Sequence, residues 1–261
     1  MPVNPRILYE VCPLCSSKAI AATKTADCTR HPLYRTELPP VMTWMTCNAC
    51  GHVFTDGYFT AQAQAEIFNH THEHQKLGAD IEKQRLVAAR MVDKVLAYKR
   101  EGTWLDVGFG NGSLLFTAQE YGFTPVGLDL RPENVEMLNA IGIEAYCADL
   151  AQVSLGKKCD VISMADVLEH MPYPVQGLKA AARLLSDDGV LLISMPNADS
   201  MLWRVLDVTN ANPYWGELEH YHNFGRKRLY ALLNQNGFEP VQYGVSERYR
   251  ACMEVVVKKK A

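Results

Sequence analysis

The chain has 261 residues, 48% of them hydrophobic, and a formal net charge of −3 at pH 7. That length suits one large domain, or an ordinary domain beside a small one, with apolar material enough for a core. The weak negative charge disfavours a protein that tracks phosphate backbones, so no nucleic-acid partner is expected, and the lack of an apolar run of about 18 residues predicts no membrane span.

Residues 1–57 read as a small module of short strand-like pieces with several prolines. The opening, MPVNPRILYE, has no charged start followed by an apolar core, so it does not read as a secretory leader and a cytoplasmic protein is expected. Disulfides are uncommon in that compartment, so the eight cysteines need another use. Four are paired by spacing, Cys12-x-x-Cys15 and Cys47-x-x-Cys50. Two such knuckles are the ligand pattern of a structural Zn²⁺, and Gly51 after the last cysteine suits the turn. The gap from Cys15 to Cys47 exceeds ordinary zinc-ribbon spacing, so an insertion must loop out, carrying Cys28 and His31 as spare donors. A redox pair would want a thioredoxin-like βαβ context, which is missing. Cys147, Cys159 and Cys252, in or beside strands, are expected to be core residues.

Residues 58–100 read as a helical linker or lid. From Ile81 onward Ala88, Met91, Val95 and Tyr98 recur at helical spacing and form one apolar stripe. His70, His72 and His74 fit a polar lid surface.

Residues 101–261 alternate apolar strands with amphipathic helices, the pattern of a parallel α/β sheet. Strands are predicted at Trp104–Gly108, Pro125–Leu130, Glu144–Ala148, Asp160–Met164 and Val190–Met195. Helices are predicted near 112–121, 132–140, 174–186 and 226–236, the last closed by Gly237. Val241–Ser246 and Cys252–Lys258 are close enough to pair antiparallel. The expected fold is therefore a Rossmann-like sheet of five parallel strands with a C-terminal antiparallel pair, preceded by the cysteine module.

Leu105-Asp106-Val107-Gly108-Phe109-Gly110-Asn111-Gly112 follows a strand and opens a helix. Glycines there permit a tight turn and close approach of a ligand to the backbone. The spacing is G-x-G-x-G, with Ser113 where a dinucleotide site would want glycine, which disfavours an NAD-dependent oxidoreductase. Asp129 ends the next strand, where an acid can accept from both hydroxyls of a ribose. Asp149 ends the third.

With these motifs in place the domain resembles the class I S-adenosylmethionine-dependent methyltransferases, especially the group related to ubiquinone-biosynthesis O-methyltransferases. LDVGFGNG at 105–112, GLDL at 127–130, CADL at 147–150, DVISMADVLEHMPYP at 160–174 and LLISMPN at 191–197 arrive in that family's order. The resemblance implies S-adenosylmethionine as cofactor, held by Asp106, Gly108, Gly110, Asp129, Asp149 and Leu150, with Ala165 and Asp166 near its methionine end. A zinc module ahead of such a domain resembles the sugar C-methyltransferases acting on nucleotide-linked deoxysugars, although their further C-terminal domain has no counterpart here. Asp166-x-x-Glu169-His170 is similar to an E-x-x-E-H stretch that holds a divalent metal in some ubiquinone-pathway enzymes, with Asp for the first Glu.

Methyl transfer to a hydroxyl needs alignment, exclusion of water and removal of a proton. Histidine suits the last task because its unperturbed pKa is near neutral. His170 leaves the fourth strand at the carboxyl edge of the sheet; His220 and His222 follow the fifth strand in a segment expected to cover the same edge. His170 and His220 are the candidate bases. The expected reaction is O-methylation of a small molecule: a sugar, glycan precursor or secondary metabolite. The alternatives are C-methylation of a nucleotide-linked sugar, or a non-catalytic scaffold that binds the same cofactor.

Overall fold

A computed structural model describes residues 5–69, 75–248 and 251–260. The triplet His70, His72 and His74 lies outside the described residues. In chain order the N-terminal part holds β1 (Arg6–Leu8), β2 (Ile20–Asp27), β3 (Val41–Cys47), β4 (Val53–Thr55), β5 (Gly57–Phe59) and α1 (Ala61–Asn69). Then come α2 (Ile81–Leu96), β6 (Gly102–Val107), α3 (Ser113–Glu120), β7 (Phe123–Asp129), α4 (Pro132–Ala140), β8 (Glu144–Cys147) and β9 (Cys159–Ala165). The chain finishes with α5 (Pro174–Leu184), β10 (Leu185–Pro196), α6 (Met201–Val208), β11 (His222–Asn223), α7 (Arg226–Gln235), β12 (Phe238–Val245) and β13 (Cys252–Lys259).

Seven strands form the main sheet in the order β12-β13-β10-β9-β6-β7-β8. β6 through β10 run parallel, as expected. The last two strands do pair antiparallel, but β13 is inserted between β10 and β12 and opposes both. β12 therefore runs with the other five, and β13 is the one reversed strand. Burial explains the order: β13 is buried along most of its length, as a strand covered on both faces must be, while β12 is mostly half-exposed, as an edge strand is.

Side chains alternate across this sheet with the period of two that strands impose. Leu105, Ile162, Leu191 and Val255 face one way, onto Leu178, Leu184, Leu229 and Leu232 of α5 and α7. Trp104, Val161, Leu192 and Val256 face the other, onto Met91 and Val95 of α2 and Ala118 of α3. α4 and α5 each start on a proline, whose fixed φ suits the first helical position. α5 ends two residues earlier than its apolar spacing predicts, because the chain turns directly into β10 at Leu185 with a register shift before Val190.

The cysteine region folds as a four-stranded sheet in the order β11-β4-β3-β2 beside the β1-β5 pair. Its outer strand, β11, comes from residues beyond β10. Among the described residues no helix is long and apolar enough to cross a membrane.

Candidate active site

β6 has β7 on one side and β9 on the other, so successive connections leave in opposite directions and open a crevice at the carboxyl edge of the sheet. A cavity of about 510 Å³ lies there. All eight residues expected to bind the cofactor line it: Asp106, Gly108, Gly110, Asp129, Asp149, Leu150, Ala165 and Asp166. Both candidate bases, His170 and His220, line the same cavity.

The glycine loop turns because Gly108, Gly110 and Gly112 adopt φ of 65°, 54° and 81°, a region unfavourable to other residues. At Gly108 a Cβ would come within 2.9 Å of Val167 Cγ2, so the loop can approach the segment after β9 only with glycine there. Beneath it, Asp106 is buried and accepts from Ser163 Oγ at 2.6 Å, and Trp104 Nε1 donates to that same oxygen at 2.8 Å. Burial pushes the Asp106 carboxyl up to about 7, against the Ser163 hydrogen bond.

Asp129 is more heavily engaged than its sequence position predicts. Oδ1 accepts from the amide of Arg131 at 3.0 Å and from its Nε at 2.8 Å. Oδ2 accepts from a terminal guanidinium nitrogen of Arg131 at 2.7 Å and from the Gly110 amide at 3.2 Å. A carboxylate has about four lone-pair positions, and here all are used. Asp149 turns the chain by accepting from the Ala151 amide at 2.7 Å. Asp166 sits at φ 57°, a left-handed conformation that costs a non-glycine residue about 1–3 kcal/mol. Its amide donates to Ser194 O at 2.8 Å, and its carboxylate meets Arg248 at 3.2 Å.

His170 lines the same cavity, and its Nδ1 lies 2.9 Å from the Glu219 carbonyl. A carbonyl can only accept, so this nitrogen carries the proton and Nε2 is left basic. The His220 ring stands edge-on to His170, with centroids 4.7 Å apart. His220 Nδ1 and both carboxylate oxygens of Glu169 are buried without a hydrogen-bond partner. Burial, then the neighbouring Asp166 charge, raises Glu169 well above the usual carboxylate range; burial, then His170, holds His220 well below the usual histidine range. Ligand atoms of Glu169, His170 and His220 lie within 4.8 Å of one another, a donor set that could hold a cation. Asp166, turned to Arg248, is not part of it.

His222 is not a cavity residue. It is buried behind the wall, bridging His52 Nε2 at 3.0 Å and the Met171 carbonyl at 2.9 Å. Among the contributors to the cavity that went unread in the sequence, two stand out. Arg131, in the turn after β7, carries no motif. His31 was a spare donor for a metal, yet it lines the cavity and its Nε2 contacts Glu217 at 3.0 Å.

The sulfurs of Cys12, Cys15, Cys47 and Cys50 all lie within 4.8 Å of one another, with Cys12 to Cys50 at 3.8 Å and Cys15 to Cys47 at 3.6 Å. A tetrahedron with bonds of about 2.3 Å to sulfur has edges of about 3.8 Å, so the four fit a tetrathiolate centre. The knuckles match: Ser16 and Gly51, each just past its second cysteine, have φ of 59° and 71°. Cys28, by contrast, is buried apart from them and directed at Ala26 O. Cys159 and Cys252 are core residues as expected, whereas Cys147 is exposed.

The strand order, the glycine loop and the acids at the end of β7 and just past β8 together define a Rossmann-like methyltransferase domain. Residues 81–243 match the Methyltransferase domain family, and the chain belongs to it. The ubiquinone biosynthesis O-methyltransferase of Salmonella paratyphi A is 34% identical over 107 residues, 38% of this chain and 44% of that protein. That of Xanthomonas oryzae pv. oryzae is 33% identical over 102 residues, 36% of this chain and 42% of that protein. The chain thus spans less than half the length of the curated relatives it matches. Solved structures that share the fold include two methyltransferases. One is the 1,6-didemethyltoxoflavin-N1-methyltransferase of Burkholderia thailandensis with 1,6-didemethyltoxoflavin and S-adenosylhomocysteine bound (TM-score 0.59, 18% identity, 80% of this chain and 96% of that one). The other is an S-adenosylmethionine-dependent methyltransferase of Clostridium acetobutylicum (TM-score 0.53, 14% identity, 68% of this chain and 92% of that one).

Proposed function

We propose that the protein transfers a methyl group from S-adenosylmethionine to a hydroxyl of a small molecule such as a sugar, glycan precursor or secondary metabolite. The observation that carries this is one cavity lined both by the glycine loop, Asp129 and Asp149 and by the His170–His220 pair. Asp129 reads the ribose, Asp149 and Leu150 flank the adenine, and the loop from Gly108 with Asp106, Ala165 and Asp166 takes the methionine end. The cofactor supplies a methyl carbon activated by its positive sulfur. With it bound, methyl transfer to the acceptor oxygen would leave the carbon–sulfur electron pair on the departing sulfur, and this chain's part would be to align the acceptor and remove its proton. His170 Nε2, or the His220 ring, takes the proton from the oxygen, and burial keeps His220 neutral. The test is calorimetry with S-adenosylmethionine and NAD side by side, followed by an acceptor screen. Binding of NAD alone would overturn the reading.

Cys12, Cys15, Cys47 and Cys50 hold one structural Zn²⁺ in the same proposal, on the strength of their sulfur spacing and paired knuckles. That module also supports a second reading of the acceptor, C-methylation of a nucleotide-linked sugar. There the histidines would remove a proton from an enolisable carbon instead of a hydroxyl.

A further inference from the structure

We propose that the cysteine module positions the acceptor half of the site through residues 217–224, with His222 as the positioning residue, and leaves the cofactor half independent of it. This rests on the methyltransferase and zinc readings above and adds a division of labour between them.

The segment is a strap bonded on both sides. Toward the module, β11 pairs with β4, His222 opposite Phe54 and Asn223 opposite Val53. The Thr55 amide donates to Tyr221 O at 2.9 Å. Toward the loop after β9, the Tyr221 amide donates to Glu169 O at 2.9 Å, and His170 Nδ1 donates to Glu219 O at 2.9 Å. Tyr9, which packs on Phe54 beside the cysteines, sends its hydroxyl to Pro172 O at 2.7 Å. Both candidate bases are thus held by this strap: His170 is bonded to it and His220 belongs to it.

His222 joins the two sides through one ring. The Met171 carbonyl can only accept, so His222 Nε2 carries the proton and Nδ1 is bare. Nδ1 therefore accepts from His52 Nε2. His52 closes the second knuckle, its carbonyl accepting from the Cys47 amide at 2.9 Å. The connection runs from Cys47 through two buried rings to the backbone beside His170. Phe224 packs on both rings, with centroids 4.9 Å from His52 and 5.8 Å from His222, so neither has room to turn away. The side-chain bonds of Asp106, Asp129 and Asp149 instead run to Ser163, Gly110, Arg131 and Ala151, all within the seven-stranded domain.

The test compares full-length wild type with His222→Phe, His222→Gln and the Cys12→Ser/Cys47→Ser double variant. Phenylalanine keeps a ring but loses both bonds; glutamine can accept from His52 and donate to Met171. Readouts are zinc content, affinity for S-adenosylhomocysteine, hydrogen exchange of residues 167–172, and the ¹⁵N signal of the His170 ring. In His222→Phe we expect zinc retained and cofactor affinity within about threefold of wild type. Exchange in 167–172 should be roughly tenfold faster, the scale of one lost hydrogen bond, with a shifted His170 signal. His222→Gln should restore both. The zinc-free double variant should show the same loosening with cofactor affinity kept. Unchanged exchange and an unchanged His170 signal in His222→Phe, or cofactor affinity lost in step with the loop, would overturn the proposal. If His222→Phe does not fold, His52→Gln, which keeps a donor toward His222, and His52→Leu, which does not, carry the same comparison. Wild type purified without metal would refute the zinc reading alone, since the His222 arm still reports on the strap.

Discussion

Arg131 grips Asp129 through two parallel N–H···O bonds of 2.8 and 2.7 Å, and its own amide takes a third position on the same carboxylate. With Gly110 on the fourth, no position is open for a ribose hydroxyl. A cofactor read by Asp129 would have to displace the guanidinium, which would make Arg131 its internal competitor.

Two opposite effects follow at this pair. Asp129→Ala should weaken S-adenosylmethionine binding by about 1.5–3 kcal/mol, the scale of hydrogen bonds to a charged group. Arg131→Ala should tighten it, by about two- to tenfold, because a state that must be vacated before binding is removed. Calorimetry on both variants decides this. Weaker binding in Arg131→Ala would mean that the guanidinium contacts the cofactor directly.

Purified without added metal, the protein should carry one zinc per chain, and the Cys12→Ser/Cys47→Ser variant should carry none. Elemental analysis reads both. Loss of the metal should loosen β2 and β3 first, since so short a segment has little core of its own and binding energy becomes folding energy. Full zinc retention in the double variant would place the metal elsewhere.

Asp106 should leave a signature in stability against pH. Its folded value, about 7, lies above that of an unfolded aspartate, so the native state holds the proton more tightly. Its contribution is complete below pH ~4 and is lost as the pH rises to about 7. Urea unfolding of the cofactor-free protein at several pH values should show a fall in stability over that window. Asp106→Asn keeps an acceptor for Ser163 and should flatten the fall. Other buried acids such as Glu169 act in the same direction, so the difference between wild type and variant is the quantity to compare.

Once an acceptor is found, His170→Ala or His220→Ala should slow turnover by about 10²–10⁴, the usual worth of a general base. Cofactor affinity should be preserved in both. Because burial keeps His220 unprotonated, a rate limited by this residue should show no acid limb near neutral pH. If both variants turn over within a few-fold of wild type, the histidines are not the base. Chelation that spares the cysteine centre would then test whether Glu169, His170 and His220 hold a cation instead.

The succession of strands along the chain, and the glycine loop and acids that line the cavity, were legible in the sequence. Spacing is local: Gly108, Gly110 and Gly112 belong to one turn, Asp129 ends the apolar run of β7 and Asp149 lies just past β8, so each residue's place follows from its own element or turn. The paired cysteines were legible for the same reason, each pair making its own turn. The insertion of β13 was half-legible: its near-continuous apolar run marks a strand covered on both faces, but which neighbours it takes depends on the whole sheet.

What only the tertiary structure decided is every relationship between residues far apart in the chain. His31 meets Glu217 across 186 positions and His52 meets His222 across 170. A histidine in isolation reads equally as base, ligand or packing; the neighbours that select among these come from other elements. His222 became a buried bridge because a carbonyl and a second imidazole face its two nitrogens, and His170 kept a basic nitrogen because Glu219 occupies the other. The protonation and role of an imidazole are set by what touches it, and periodicity along a chain carries no record of that.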